Sequence, residues 1–184
     1  QKNRYSIRSF RRRIKVMDIT IPFKIKFLTI KTKNFAKKKK LIIQELKKYP
    51  EERQKNFNSN RGNRELAFSF AKIFTEELGH VAKHYRSNLT ITDSWSVTYD
   101  KGDFHVPHNH GSIGYAGILY LDLHKDSPGT TYIQPWNNEN DKSLLYTPKV
   151  KPGDMVIVPK FIFHYSEVNP ISFKKRIISF DFGI

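Results

Sequence analysis

Three of the seven histidines of this chain fall within six positions, in the stretch FHVPHNHGS at residues 104–112, and a fourth stands in VPKFIFHYS at residues 158–166. In extended chain, residues two apart project to one face, so His108 and His110 can occupy adjacent corners of a metal ion's coordination sphere while Asn109 turns away. His164 is the best-placed further ligand. It follows a Gly153–Asp154 turn and a strand that runs to Pro159, and it sits between Phe163 and Tyr165. The chain has no cysteine, which excludes disulfides, thiolate metal sites and cysteine nucleophiles, so any metal must use nitrogen and oxygen ligands. A neutral-ligand site with open positions suits Fe(II), although Zn, Mn and Ni accept the same ligand types.

The other histidines read differently. His105 lies off the phase of the pair and is expected behind the ligands or on the substrate side. His80 and His84 have helical i, i+4 spacing but no glutamate between them in the HExxH manner, so they read as surface or packing residues, and His124 reads as a turn residue. Any one of these histidines alone is ordinary. The same-face pair combined with a later histidine behind a PGD turn is what points to a metal.

The elements that must position these side chains follow from composition and periodicity. With 184 residues, 38% hydrophobic and 14% aromatic, the chain suffices for one folded domain with a real core. No stretch approaches a membrane span and the N-terminus lacks the apolar run of a signal peptide, so the expectation is a soluble, cytoplasmic protein without membrane contact. The formal charge of +16 is lopsided: residues 1–40 hold 15 Lys or Arg and a single acid, Asp18. RSFRRRIKV and FAKKKKL could meet phosphate backbones nonspecifically, or be a solvated tail and the charged face of a helix. Residues 1–16, ahead of the first methionine at Met17, read as a basic extension, and residues 17–184 as a single domain.

FKIKFLTI alternates like an edge strand, and NFAKKKKLIIQELKKYP reads as an amphipathic helix from about Asn34 to Pro50. EERQKNFNSNRGN reads as a loop. From about Asn63 the stripe Leu66, Phe70, Ile73, Phe74, Leu78 and Val81 predicts a second helix packed on the rest of the chain. After Ser87, six or more short β-branched and aromatic runs separated by turn signals predict an antiparallel sandwich or barrel, buttressed by the two helices. Within it, IQPWNNENDKSLLY reads as a variable loop over the mouth.

WSVTYDKGDFHVPHNHGSIGYAGILYLDL at residues 95–123, followed by KPGDMVIVPKFIFHYSEVNP at 151–170 and KKRIISFDF at 174–182, resembles the core of a family of 2-oxoglutarate- and Fe(II)-dependent oxygenases known from bacteria and tailed phages. The shared order is a Trp, a Tyr four residues on, a Gly-Asp turn, an H-x-H pair, Gly-Ser and a Gly before an aromatic strand, then a GD turn, the distal histidine, an Asn-Pro turn and a basic residue entering the last strand. The match spans roughly residues 91–184. It implies a mainly β fold, a double-stranded β-helix (jelly roll) over about residues 88–184, with Fe(II) at its open end.

The resemblance implies that His108, His110 and His164 hold Fe(II) and that 2-oxoglutarate and O₂ are consumed, giving succinate, CO₂ and a hydroxylated product of an unidentified substrate. The wider superfamily has a carboxylate where this sequence has His110. Either three histidines bind the metal or a carboxylate arrives from elsewhere, with Asp103 the nearest candidate. The cation for the distal carboxylate of 2-oxoglutarate falls to Lys175 or Arg176, which strand phase puts on opposite faces. Lys175 shares a face with Ile177, Ser179 and Asp181, while Arg176 has the better fork for a carboxylate. Tyr99 and Tyr120 are supporting donors, with Trp95 and Tyr132 as walls. Two other readings stand beside this one: a cupin-like metal protein that does not use 2-oxoglutarate, and a basic nucleic-acid- or particle-binding module.

Overall fold

A computed structural model describes residues 25–61, 64–86, 89–134 and 145–183. Residues 1–24 lie outside the described residues, so the basic extension expected at 1–16 does too, as does most of the loop expected over the mouth.

The elements run in the order β1 (Leu28–Lys31), α1 (Phe35–Leu46), β2 (Glu52–Arg53), β3 (Asn58–Ser59), α2 (Glu65–Ile73), α3 (Thr75–Tyr85), β4 (Thr90–Tyr99), β5 (His105–His108), β6 (Tyr115–Asp122), β7 (Thr130–Ile133), β8 (Leu145–Tyr146), β9 (Asp154–Pro159), β10 (His164–Ser166) and β11 (Lys175–Gly183). All pairings are antiparallel. Seven strands form one sheet in the order β1-β9-β6-β11-β4-β3-β2, and four form a second in the order β5-β10-β7-β8. From β4 onward the chain passes repeatedly between the two sheets, as in a double-stranded β-helix, the fold class expected.

The large sheet is apolar on both faces because it is covered on both. In β6 and β11, Leu119, Leu121, Ile178, Phe180 and Phe182 point to the helices and meet Leu66, Phe70, Phe74 and Val81. Their alternates Ile118, Tyr120 and Ile177 point to the small sheet, where they join Trp95, Val97, Tyr99 and Tyr132. The period of two thus sorts each strand between a helix-packed layer and an inter-sheet layer that contains the histidines.

Three local expectations change. The second helix is broken at Phe74 (φ −104°, ψ 20°), giving α2 and α3. Phe74 is fully buried against Phe70 and Phe180, with ring centroids 6.2 and 5.5 Å away, and the Thr75 hydroxyl donates to the carbonyls of Ala71 and Lys72 at 3.1 and 3.0 Å, competing with the helical ladder. The expected loop at 51–63 holds β2 and β3, and β3 adds to the large sheet beside β4. Polar side chains stitch it down: Ser59 Oγ donates to the Ser96 carbonyl at 2.9 Å, and Asn60 Oδ1 accepts from the Ser96 amide at 2.7 Å. The lysine run of α1 is only partly free. Lys38 pairs with the buried carboxylate of Glu77 on α3 at 2.6 Å, and Lys39 with Asp122 at the end of β6 at 2.5 Å, while Lys37 and Lys40 stay exposed. No described helix is long and apolar enough to cross a membrane.

Glu77 is 1% exposed and also accepts the Lys33 amide at 2.9 Å, so it ties the start of α1 to α3. Replacing it (Glu77→Ala) strands Lys38 and should cost about 3 kcal/mol in urea denaturation. Lys33→Ala, which removes only the exposed pair with Glu76, should leave the midpoint unchanged.

Candidate metal centre

The two histidine segments meet because β5 and β10 are neighbouring strands of the small sheet. Their antiparallel register puts His164 directly opposite His108, with a shift before Ser166 meets His105. Beyond β5 the chain leaves the sheet through residues 109–114, held by two backbone bonds: the His110 amide to the Lys160 carbonyl and the Lys160 amide to the Gly114 carbonyl, both 3.0 Å. Gly114 has φ +94°, and a Cβ there would collide with the Phe182 carbonyl oxygen, so this return into β6 requires glycine. The turn places His110 beside His164.

Ring centroids of His108 and His164 are 4.5 Å apart, of His110 and His164 5.0 Å, and of His108 and His110 5.5 Å. One ring nitrogen from each lies within 4.8 Å of the other two, against the roughly 3 Å that separates adjacent nitrogens bound to one ion. Small ring rotations close that gap.

The hydrogen bonds fix which nitrogen is free. Nδ1 of His108 donates to the Val106 carbonyl at 2.9 Å, Nδ1 of His164 to the Ile162 carbonyl at 3.2 Å, and Nδ1 of His110 to Oδ1 of Asp181 at 2.6 Å. Since these partners only accept, all three Nδ1 atoms carry a hydrogen, which leaves Nε2 as the ligand atom of each ring. Burial, then the neighbouring imidazoles, pushes His164 down to about 3 and lowers His108 as well. His108 and His164 are therefore held neutral, the form a cation binds. Among the described residues nothing hydrogen-bonds to these Nε2 atoms, so the donor set fits a divalent metal such as Fe(II).

Among the described residues no carboxylate joins them. Asp103 is held at 2.7 Å by both Arg53 guanidinium nitrogens and accepts the Asp100 amide at 3.0 Å, so it secures the turn between β4 and β5. Among the described residues the metal-competent group consists of His108, His110 and His164.

A cavity of about 310 Å³ opens beside the cluster, lined by Trp95, Tyr99, His105, His108, His164 and Ser166 among others. His105 stacks on His108 at 4.0 Å, packs on Phe57 at 4.3 Å and lies 3.5 Å by Nδ1 from the Tyr99 hydroxyl. Burial, then His108, pushes it down to about 3. Trp95 lies 5.4 Å from His110, with the Arg61 guanidinium 4.9 Å from its ring. Tyr132 lies 5.6 Å from His164.

Lys175 and Arg176 part company at the start of β11. Lys175 turns inward and is fully buried, its Nζ donating to Ser166 Oγ at 2.5 Å and the Pro128 carbonyl at 2.8 Å, 4.8 Å from the Tyr99 ring. Burial pushes its ammonium down to about 7. Among the described residues no carboxylate pairs with it. Arg176 takes the opposite face, where its Nε donates to Thr98 Oγ1 at 3.1 Å. Tyr99 and Tyr120 are buried phenols, both raised by burial, and Tyr120 accepts the Thr130 amide at 3.0 Å. His80 and His84 are exposed on α3, and His124 contacts Phe173 at 5.6 Å and Asp126 at 3.4 Å, all away from the cluster.

Sequence reasoning missed Asp181, Ser166 and Arg61. Strand phase did put Asp181 on the face of Lys175, but nothing in the sequence says which β11 residue comes level with His110. Arg61 sits in the stretch read as a plain loop.

No family model matches the sequence, and no curated protein matches it. Solved structures do. An oxidoreductase of the 2OG-Fe(II) oxygenase family from Burkholderia pseudomallei superposes with TM-score 0.65 at 12% identity, covering 85% of this chain and 84% of its own. HygX from Streptomyces hygroscopicus, with nickel and 2-oxoglutarate bound, gives TM-score 0.65 at 13% identity over 85% and 82%. The non-haem α-ketoglutarate-dependent epimerase SnoN from nogalamycin biosynthesis gives 0.70 at 9% identity over 85% and 77%. The chain has the fold of these oxygenases.

The depressed imidazoles carry a stability signature. Below the ordinary histidine value of 6.5 the unfolded chain takes up protons that folded His105, His108 and His164 refuse, so their contribution is present above pH 6.5 and is lost as pH falls, for His105 and His164 toward about 3. The melting temperature of metal-free protein should fall between pH 7 and pH 5, and His164→Phe should make the fall shallower.

Proposed function

We propose that this protein is a non-haem Fe(II), 2-oxoglutarate-dependent oxygenase that hydroxylates a substrate still to be identified, with release of succinate and CO₂. One observation carries the reading: three imidazoles converge with their Nδ1 atoms already bonded, and two of them, His108 and His164, line a cavity with Ser166 and Tyr99, the partners of a buried ammonium that no carboxylate among the described residues pairs with, in a fold whose solved examples include a protein with 2-oxoglutarate bound. His108, His110 and His164 would hold the metal. When bound, Fe(II) supplies the redox chemistry that couples oxidative decarboxylation of 2-oxoglutarate by O₂ to oxidation of a C–H bond.

The chain's own residues bind, orient and exclude water. Lys175 is the residue for the distal carboxylate of 2-oxoglutarate. A buried ammonium compensated by a hydroxyl, a carbonyl and the face of a phenol ring is costly, and an incoming carboxylate offsets that cost, so ligand binding and relief of desolvation coincide. Ser166 shares that ammonium and is placed to bond the same carboxylate. Arg176, on the far face, is left to the sheet. Tyr99 and Tyr120 stay protonated, as donors in the inner layer. His105, against His108, faces the cavity as a neutral group available to a substrate. Arg61 and Trp95 form the cavity's other wall.

The three-imidazole set favours one competing reading, a metal protein of this fold that does not consume 2-oxoglutarate. Separately, the basic residues preceding β1 carry the proposal of a nonspecific phosphate-backbone contact, on charge alone.

Anaerobic titration with Fe(II) and then 2-oxoglutarate should develop the weak visible charge-transfer band of the chelate, absent in His164→Ala, and admission of O₂ should yield succinate. Metal binding without band or succinate would select the competing reading. Lys175→Met should keep the metal yet weaken 2-oxoglutarate binding about 10- to 100-fold, read by calorimetry, since it removes a charge-assisted hydrogen bond.

A further inference from the structure

The three imidazoles of the cluster are not equivalent. His108 and His164 donate their Nδ1 hydrogens to neutral backbone carbonyls at 2.9 and 3.2 Å, whereas His110 donates to a carboxylate, Asp181, at 2.6 Å. The His110 side chain is 2% exposed and Asp181 17%, so the pair is largely shielded from water. The other Asp181 oxygen lies 3.5 Å from Lys160 Nζ, and Lys160 in turn holds the His110 amide through its carbonyl at 3.0 Å. Trp95 packs along the His110 ring at 5.4 Å and fixes its plane.

The backbone is shaped for this contact. β11 pairs with β4 in unbroken register from Lys175 to Asp181, and the register shifts between Asp181 and Phe182. The extra residue is Thr92 of β4, a bulge that increases the local twist of the pair. It lies beside Asp181, the β11 residue that bonds a cluster imidazole.

We infer that Asp181 is a positioning residue for the metal centre, supplying through His110 the negative charge that no coordinating carboxylate among the described residues provides. The inference rests on the metal-centre reading above. A carboxylate on Nδ1 fixes the tautomer, aims Nε2 and makes the imidazole a stronger electron donor, and such partners typically govern metal affinity by 10- to 100-fold. His110 thereby becomes the strongest donor of the three, and the cation meets a carboxylate, partly offset by Lys160, one imidazole away.

The test is Co(II) titration of the metal-stripped full chain, followed by d–d absorption and calorimetry, for wild type, Asp181→Asn, His110→Asp and the double variant. Asp181→Asn keeps shape and an acceptor oxygen but removes the charge, and should weaken Co(II) binding at least about tenfold. In the His110→Asp background, where no imidazole remains to carry the effect, Asp181→Asn should leave the affinity unchanged. Equal affinities of wild type and Asp181→Asn would overturn the inference, as would an equal loss in both backgrounds, which would mark Asp181 as a distant field only. Wild type that binds no Co(II) would sink the metal-centre reading itself and this inference with it. A measurement that needs no variant is the NMR of Zn(II)-loaded wild type. The His110 Nδ1 proton should be far downfield and slow to exchange compared with those of His108 and His164, and three alike protons would refute the assignment.

Discussion

Everything at the centre depends on the antiparallel pairing of β5 with β10. It is a short contact, four residues against three, yet it sets His164 across from His108 and so joins two segments of the chain at one point. Short strands at a sheet's edge are weak on their own. This pair is held by what flanks it: β7 on the other side of β10, the backbone bonds between residues 110–114 and Lys160, and the inter-sheet layer of Trp95, Tyr132 and Ile162 beneath. The histidines therefore sit on a scaffold tied by its own backbone bonds and apolar packing, as a preformed site requires.

The second organising feature is the two-sided use of β11. Even-numbered residues from Ile178 to Phe182 anchor the helices, and odd-numbered ones from Lys175 to Asp181 face the inter-sheet space. One strand thus delivers a cation at one end and an anion at the other, with Ile177 and Ser179 lining the cavity between them. The separation matters electrostatically. Lys175 and Asp181 do not neutralise each other: among the described residues the first pairs with no carboxylate and the second is spent on His110 and Lys160. A site for a dianion that also chelates a metal needs that polarity, positive at the far end and electron-donating at the ion.

The helices contribute at a distance. Breaking the predicted single helix at Phe74 lets one aromatic side chain reach Phe180, and Lys38 and Lys39 pin α1 to α3 and β6. Lysines that look like a polyanion-binding run in the sequence are in part internal ties. The stretch before α2, polar and without alternation, carries β3 and the side chains of Phe57 and Arg61 that complete the cavity wall. Two-residue strands held by serine and asparagine side chains leave no hydrophobic period to read.

By itself the sequence determined the fold class and the donor chemistry. Alternation, turn residues and helical stripes are local properties, and so is the same-face placement of His108 and His110, because each follows from the geometry of a few consecutive residues. The absence of cysteine likewise restricted ligands to nitrogen and oxygen. Phase also divided Lys175 from Arg176, but which of those faces lines the cavity depended on which layer each face covers. Only the tertiary structure decided that Asp103 belongs to Arg53, that Asp181 belongs to His110, and that Lys175 is buried against Ser166 and the Pro128 carbonyl. Those outcomes turn on strand register, with a bulge at Thr92 of β4 beside Asp181, and register is set by the packing of residues far apart in the chain, which no short window of sequence contains.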